Sequence, residues 1–315
     1  MSKPIIICHP SMEGIIKNLW EKFQDRFKYM EGYYPALRGD VSWKKFPDAW
    51  PDIFIKTDIK NRDVIFIASL DDQATLFEQF AVLYAIPRYQ AKSLNVIIPY
   101  FPGTMDRVDE TGQVVTAMTM ARMLSAIPLT KSGPAIITIY DIHALQEQFF
   151  FGDKVIPDLR TTIPLFRKWL EQTISFEERK MVSIVYPDDG ARKRFSKMFS
   201  GYDEIVCDKV RQGESRIVTI REGNAYDRIC FIIDDIIMKG GTAIECRNVL
   251  SLNGARSISV FAPHGVCPGE SWKKFTPDLF DRVIITDSCQ QTAKAVKELK
   301  HFKVLTFADL IYNML

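Results

Sequence analysis

At 315 residues, against roughly 150 per domain, the chain predicts two domains, and 47% hydrophobic with 25% charged residues is the balance of a soluble protein with a sizeable core. The 41 basic and 39 acidic residues leave a formal charge of +2, which argues against a nucleic-acid or membrane-surface partner; any anionic ligand has to be small and held at a local site. Cys8, Cys207, Cys230, Cys246, Cys267 and Cys289 form no CxxC pair, so zinc or a disulfide framework gives way to buried free thiols in a reducing compartment.

The N-terminal "PIIIC" is broken at once by His9, Pro10 and Glu13, too early for a signal peptide; the segment is also too poor in Arg and Ser for a transit peptide. No apolar run approaches the roughly 18 residues of a membrane span. A cytoplasmic location is therefore expected. Apolar runs then recur as "DIFIK", "DVIFIASL", "NVIIPYF", "AIITIYD", "VSIVYPDD", "EIVCDKV", "RIVTI", "RICFIIDD", "SISVFAP", "RVIITDS" and "KVLTF". Helical patterns lie between many of them. Ala117, Met120, Ala121 and Leu124 fall on one helical face, as do Cys246, Val249 and Leu250 before an Asn253–Gly254 stop. Continuous apolar strands alternating with helices predict an α/β fold with mostly parallel sheets buried on both sides.

The pattern restarts after the Gly- and Pro-punctuated "FFFGDKVIPDLRTTIP", which reads as a junction. The expected division is 1–152 and 153–302, with 303–315 placed back against the first domain. Several strands end in polar residues, and ligands in such sheets bind outside the carboxyl ends of strands. These ends are therefore the candidate sites.

"WKKFPDAWPDIFI" packs four aromatics and two prolines around Asp48, either a ligand-stacking loop or a rigid turn. In "ITIYDIHALQEQFF", Asp141 and His143 are two apart and so share one side of a strand, with Gln146 and Gln148 beyond. That pattern suits a metal or phosphate contact as well as a structural histidine. "YPDDGARKR" runs from a strand through Asp188–Asp189–Gly190 into a basic helix start, which also reads as ordinary acidic capping. In "EIVCDKVRQGESRIV", Lys209 and Arg211 open a polar segment that by composition is a surface hairpin.

The most informative stretch is "RICFIIDDIIMKGGTAIEC". A buried strand ends on Asp234–Asp235, and Gly240–Gly241–Thr242 open a helix whose first N–H groups and dipole favour an anion. Carboxylates cannot hold that anion themselves; they suit sugar hydroxyls or Mg²⁺. A plain strand-to-helix turn with an acidic cap is the alternative. Neither GxxxxGK[ST] nor GxGxxG occurs, so a nucleotide here is not held by those loops.

Four of these stretches together resemble ribose-phosphate diphosphokinase, the phosphoribosyl pyrophosphate synthetase family. "FIIDDIIMKGGT" is similar to its phosphoribosyl loop, "YDIHALQEQFF" to its D-[LI]-HAxQxQ-[GF]-FF signature, "YPDDGARKR" to its PD-[AD]-GAxKR segment and "CDKVR" to its DK-x-R flexible-loop motif. "FPDAWPDIF", "YFPGTMDR" and "ITDSC" are closer to the divergent plant-type branch.

The resemblance covers nearly the whole chain. It implies two phosphoribosyltransferase-like domains with an active site between them, shared with a neighbouring subunit of a homo-oligomer. The implied reaction is transfer of the diphosphoryl group of ATP, or another nucleoside triphosphate, to the C1 hydroxyl of ribose 5-phosphate, with Mg²⁺. Carried over by motif, Lys239, Gly240, Gly241 and Thr242 hold the 5-phosphate, and Asp234 and Asp235 the ribose hydroxyls. His143 and Asp188 serve metal and diphosphate, and Lys209 and Arg211 are the mobile-loop cations. Phe46 and Asp48 meet the base, with Gln146 and Arg107 near the triphosphate.

Three departures stand out. Met238 replaces a third acid, Lys239 replaces a threonine, and the segment around Arg107 is altered and shortened. The branch implies tolerance of several triphosphates and activity without added inorganic phosphate. Two other readings stand beside an active synthetase: a catalytically silent, synthetase-associated subunit, and a single-base phosphoribosyltransferase. The latter leaves "DIHALQEQFF" without a purpose.

Overall fold

The computed structural model describes residues 3–27, 34–103, 111–212 and 215–315. The chain divides into two compact units, Met1–Thr161 with Phe307–Leu315, and Thr162–Thr306. Each apolar run quoted above contains a strand.

In the first unit the strands are β1 (Ile5–Cys8), β2 (Leu37–Arg38), β3 (Val41–Lys45), β4 (Pro51–Ile55), β5 (Asp63–Ile67), β6 (Ser93–Ile98), β7 (Ala135–Tyr140) and β8 (Val155–Arg160). Six of them, among the described residues, make one sheet in the order β2-β1-β5-β6-β7-β8, with every pairing parallel. Its helices are α1 (Glu13–Phe27), α2 (Gln73–Arg88) and α3 (Thr116–Ser125). The α3 face formed by Ala117, Ala121 and Leu124 is buried as its spacing predicts. β3 and β4 stand apart as an antiparallel ribbon. Its Val41, Trp43, Ile53 and Ile55 pack on the unit's core.

The stretch that reads as a junction holds β8, paired with β7 along six residues. Pro157 cannot donate to a ladder, but β8 is the last strand of its sheet, where a missing N–H goes unused.

In the second unit the strands are β9 (Val182–Tyr186), β10 (Asp203–Gln212), β11 (Ser215–Glu222), β12 (Ile229–Ile233), β13 (Ile236–Ile237), β14 (Ser257–Ala262), β15 (His264–Gly265), β16 (Arg282–Thr286) and β17 (Phe302–Leu305). The main sheet runs β11-β10-β9-β12-β14-β16-β17, parallel except for the β10–β11 hairpin. Its helices are α4 (Ile163–Thr173), α5 (Phe176–Arg179), α6 (Asp189–Phe195), α7 (Gly241–Leu252) and α8 (Gln290–Val296). Phe166 of α4 stacks on Phe261 of β14 at 4.4 Å and meets Phe199 and Phe231 edge-on. After Thr306 the chain returns to the first unit as α9 (Ala308–Met314). There Ile311 joins Ile15, Leu19 and Phe23 of α1, and Asp309 pairs with Lys22.

In both sheets the chain first builds to one side and then reverses. The reversal lies between β1 and β5 in the first unit, and between β9 and β12 in the second. A crevice opens outside the strand ends at such a point, because the flanking connections leave to opposite faces.

Candidate active site

The second reversal is where the acids stand. β12 is buried at all five positions. The Asp234 N–H extends its ladder by one bond, donating to the Phe261 carbonyl at 3.1 Å. The Asp234 carboxylate accepts the Asp235 N–H at 3.0 Å. Asp235 is buried and accepts from the Arg194 guanidinium at 3.0 Å. Burial, and then the adjoining Asp235 charge, push the Asp234 carboxyl up to about 8. The two acids thus share the strand end unequally, Asp235 in an ion pair and Asp234 holding its proton near neutral pH.

β13 continues the chain beyond the acids and pairs in parallel with β15. The loop carbonyls are then tied off from the other side. Val266 and Cys267 donate backbone N–H groups to Ile237 O, Ser271 Oγ donates to Met238 O at 2.7 Å, and Lys274 Nζ reaches Lys239 O. The loop therefore turns its carbonyls away and leads into the start of α7, whose first-turn N–H groups lie outside the intrahelical ladder. Gly240 caps that helix at φ +79°, and a Cβ there would sit 2.6 Å from the Phe275 ring. Only glycine meets both conditions. At Gly241 a Cβ would meet nothing within 4 Å, so a ligand can approach the backbone. Thr242 lies in the first turn of α7, half-buried, and the Lys239 side chain is exposed.

Across the reversal, Asp188 follows β9 and caps α6, its Oδ1 accepting the Ala191 N–H at 2.9 Å. Its charge adds to the upward push on Asp234. The three basic residues of α6 part company: Arg192 pairs with Glu204 and Glu222, Lys193 with Asp189, and Arg194 with Asp235. Arg194 is the site residue that the sequence reading missed. Its only signal there was a basic run whose members cannot be told apart without the phase of the helix.

Lys209 and Arg211 lie on β10, opposite Val218 and Arg216 of β11, so the two runs pair as a hairpin. Their side chains lie outside the described residues, as does Arg107.

The first unit carries the other candidates. β7 ends at Tyr140, and Asp141 takes a left-handed φ of +43°. Asp141 is buried and accepts from Thr161 Oγ1 at 2.7 Å, whereas His143 is exposed. The expectation that these two share a strand face is corrected: the left-handed residue breaks the alternation before His143 is reached. Gln146 lies exposed in a 3₁₀ turn, Leu145–Phe150. Phe46 and Asp48 sit on the β3–β4 turn, which is closed by Phe46 N–H to Trp50 O and Ala49 N–H to Phe46 O. Asp48 Oδ1 accepts the Trp50 N–H at 3.1 Å. Phe46 is 50% exposed.

No group of three or more His, Cys, Asp or Glu is arranged to hold a metal among the described residues. Asp188, Asp234 and Asp235 are hard oxygen donors, and Mg²⁺ takes only one or two of these while keeping water and substrate phosphate. A divalent charge would relieve the crowding that keeps Asp234 protonated, so the residues fit such an ion.

Residues 30–127 match the family model described as the N-terminal domain of ribose phosphate pyrophosphokinase. The chain is 43% identical over 284 residues to ribose-phosphate pyrophosphokinase 4 of Arabidopsis thaliana, covering 87% of this chain and 83% of that one. It is 42% identical to the enzyme of the same name from Oryza sativa subsp. japonica, with 87% of each covered. A ribose-phosphate pyrophosphokinase of Ureaplasma parvum is 28% identical over 76% of this chain and 72% of its own, so the plant-type likeness read from "FPDAWPDIF" and "YFPGTMDR" is borne out. A solved phosphoribosylpyrophosphate synthetase from Mycobacterium smegmatis shares the fold, with a TM-score of 0.77 at 19% identity over 99% of this chain and 97% of that one.

Two outcomes are expected from the geometry. Gly240→Ala combines a left-handed backbone with a ring clash, and should lower unfolding stability by about 1–3 kcal/mol. An unshifted urea midpoint would show that the turn has another conformation. Asp234 has a folded-state pKa above its unfolded value near 3.9. Its penalty on folding is therefore absent below about pH 4, grows as pH rises, and is complete above about pH 8. Without divalent cations, Asp234→Asn should melt above wild type at pH 8, with the gap shrinking towards pH 4.5. A gap independent of pH would contradict the raised pKa.

Proposed function

The chain belongs to the ribose-phosphate pyrophosphokinase family, and from that premise we propose that it transfers the diphosphoryl group of ATP, or another nucleoside triphosphate, to the C1 hydroxyl of D-ribose 5-phosphate. The products are 5-phosphoribosyl 1-diphosphate, a precursor for nucleotide synthesis, and AMP. The observation that carries this reading is the β12–α7 loop. It joins an acidic strand end to a glycine-opened helix start in one short segment.

Lys239, Gly240, Gly241 and Thr242 receive the 5-phosphate, whose charge suits the helix start and the neighbouring ammonium. Asp234 and Asp235 face the ribose 2- and 3-hydroxyls, orienting the C1 oxygen towards the β-phosphorus. That oxygen gives up its proton to solvent and forms the new bond to the β-phosphorus, while the bond from that phosphorus to the oxygen retained by AMP breaks. Lys209 and Arg211 neutralise charge on the transferring group. Phosphoryl transfer of this kind depends on positioning and charge stabilisation rather than on a strong base. His143 and Asp188, directly or through water, would hold Mg²⁺, which when bound neutralises phosphate charge and templates the triphosphate.

Phe46 and Asp48 receive the base, with Gln146 and Arg107 serving the triphosphate. A homo-oligomer in which Phe46 and Asp48 come from a neighbouring copy agrees with their exposure on a ribbon outside the main sheet. The decisive assay is AMP formation from ATP, Mg²⁺ and ribose 5-phosphate; no AMP would favour the silent-subunit reading.

Lys209→Ala should lower turnover by about two orders of magnitude or more with ribose 5-phosphate binding nearly intact, since the charge acts in the transition state. Turnover within about threefold of wild type would remove the residue from the mechanism. A base held by stacking on Phe46 is weakly discriminated, because sharp selection needs buried polar groups that the wrong base leaves unpaired. GTP or CTP should therefore support measurable rates in phosphate-free buffer. Activity confined to ATP and dependent on phosphate would show that Asp48 reads the adenine and that the plant-type assignment of control is wrong.

A further inference from the structure

At the reversal between β1 and β5 a buried polar pair stands just beyond the strand. His9 follows β1 directly and is 6% exposed; Glu78, on α2, is 7% exposed. His9 Nδ1 accepts from the Ser11 N–H at 3.2 Å and lies 2.7 Å from Ser11 Oγ. With Nδ1 accepting, Nε2 carries the hydrogen and donates to Glu78 Oε1 at 2.9 Å. Both ring nitrogens are thus engaged and the ring plane is fixed. The Trp43 indole of β3 meets that ring edge-on, at 5.0 Å and 80°, and leans at 6.5 Å on Phe66 of β5.

α2 is itself anchored to the exit of β5. Gln79 donates to Ser69 O and accepts the Ser69 N–H, at 2.5 and 2.8 Å. One residue before Glu78, Phe77 meets Trp50 at 5.1 Å. The ribbon that bears Phe46 and Asp48 makes no ladder with the main sheet among the described residues. An isolated two-stranded hairpin is only marginally stable, so its direction rests on its contacts with the rest of the unit, those of Trp43 among them.

A buried polar pair at this place needs explaining, because apolar residues of similar volume would fill the space at no desolvation cost. Two hydrogen bonds at opposite corners of an imidazole supply what apolar packing lacks, a single ring orientation. We propose that His9, oriented by Glu78 and acting through Trp43, is a positioning residue that aims the hairpin carrying Phe46 and Asp48 at the nucleotide. The inference rests on the assignment of that hairpin to the base.

The test compares Michaelis constants for the two substrates in full-length variants. Glu78→Leu keeps the volume but frees the ring, and should raise the KM for ATP by about fivefold, the scale of one lost buried hydrogen bond. The KM for ribose 5-phosphate should stay within about twofold, and Glu78→Gln, which still accepts from Nε2, should restore most of the loss. Trp43→Phe, which shortens the contact without unpairing the acid, should shift the ATP constant in the same direction if Glu78→Leu fails to fold. The proposal is overturned if both constants rise together, or if melting temperature falls while neither moves, since those are the marks of a purely structural pair. Phe46→Ala separates the two levels. If it leaves the KM for ATP unchanged, the hairpin does not serve the base and both readings fail; if it raises that KM while the Glu78 and Trp43 variants do not, only the positioning role is lost.

Discussion

The ion pair between Arg194 and Asp235 is the constraint on which the rest of the site depends. Two adjacent carboxylates at the end of a buried strand repel one another, and burial penalises both. A single guanidinium at 3.0 Å compensates one of them and leaves the other to hold its proton. Arg194 comes from α6, whose own start is capped by Asp188. One seven-residue helix therefore sets both the acid beyond β9 and the cation facing the acid beyond β12. Removing Arg194 would strand a buried charge, which costs more than the intact pair contributes. Asp188 and Asp234 stand beside this pair as further acids, an environment of the kind that suits a divalent ion.

Much of this arrangement was legible in the sequence, because strands of a parallel sheet are continuous apolar runs and their ends are marked by the first polar residues. Asp188, Asp234 and the Gly240–Thr242 turn could be placed on that basis, and the motifs supplied roles. The features that stayed hidden depend on contacts between distant segments or on backbone angles. Alternation put Asp141 and His143 on one side, but Asp141 is left-handed, held by Thr161 and by the Arg160 carbonyl. β8 was concealed by Pro157, which marks a loop unless the strand is at an edge. Nothing near Met238 announces that its carbonyl is taken by Ser271, or that Phe275 is the residue that forbids a side chain at Gly240.

The two sheets reverse their strand order in the same way, and the residues that follow the strands at the two reversals differ in kind. After β9 and β12 come Asp188 and Asp234, short polar side chains that cannot fill space and are costly without a partner. After β1 comes His9, whose imidazole is satisfied by Ser11 and Glu78 and covered by Trp43. The first strand end thus carries a satisfied ring packed on an indole, and the second carries neighbouring acids. In the first, the His9–Trp43 contact lies at the root of a ribbon whose turn leaves Phe46 half-exposed. The same topology thus carries an acidic strand end and a glycine-opened helix start in one unit and a histidine-backed hairpin in the other, and the difference traces to which residues follow two strands.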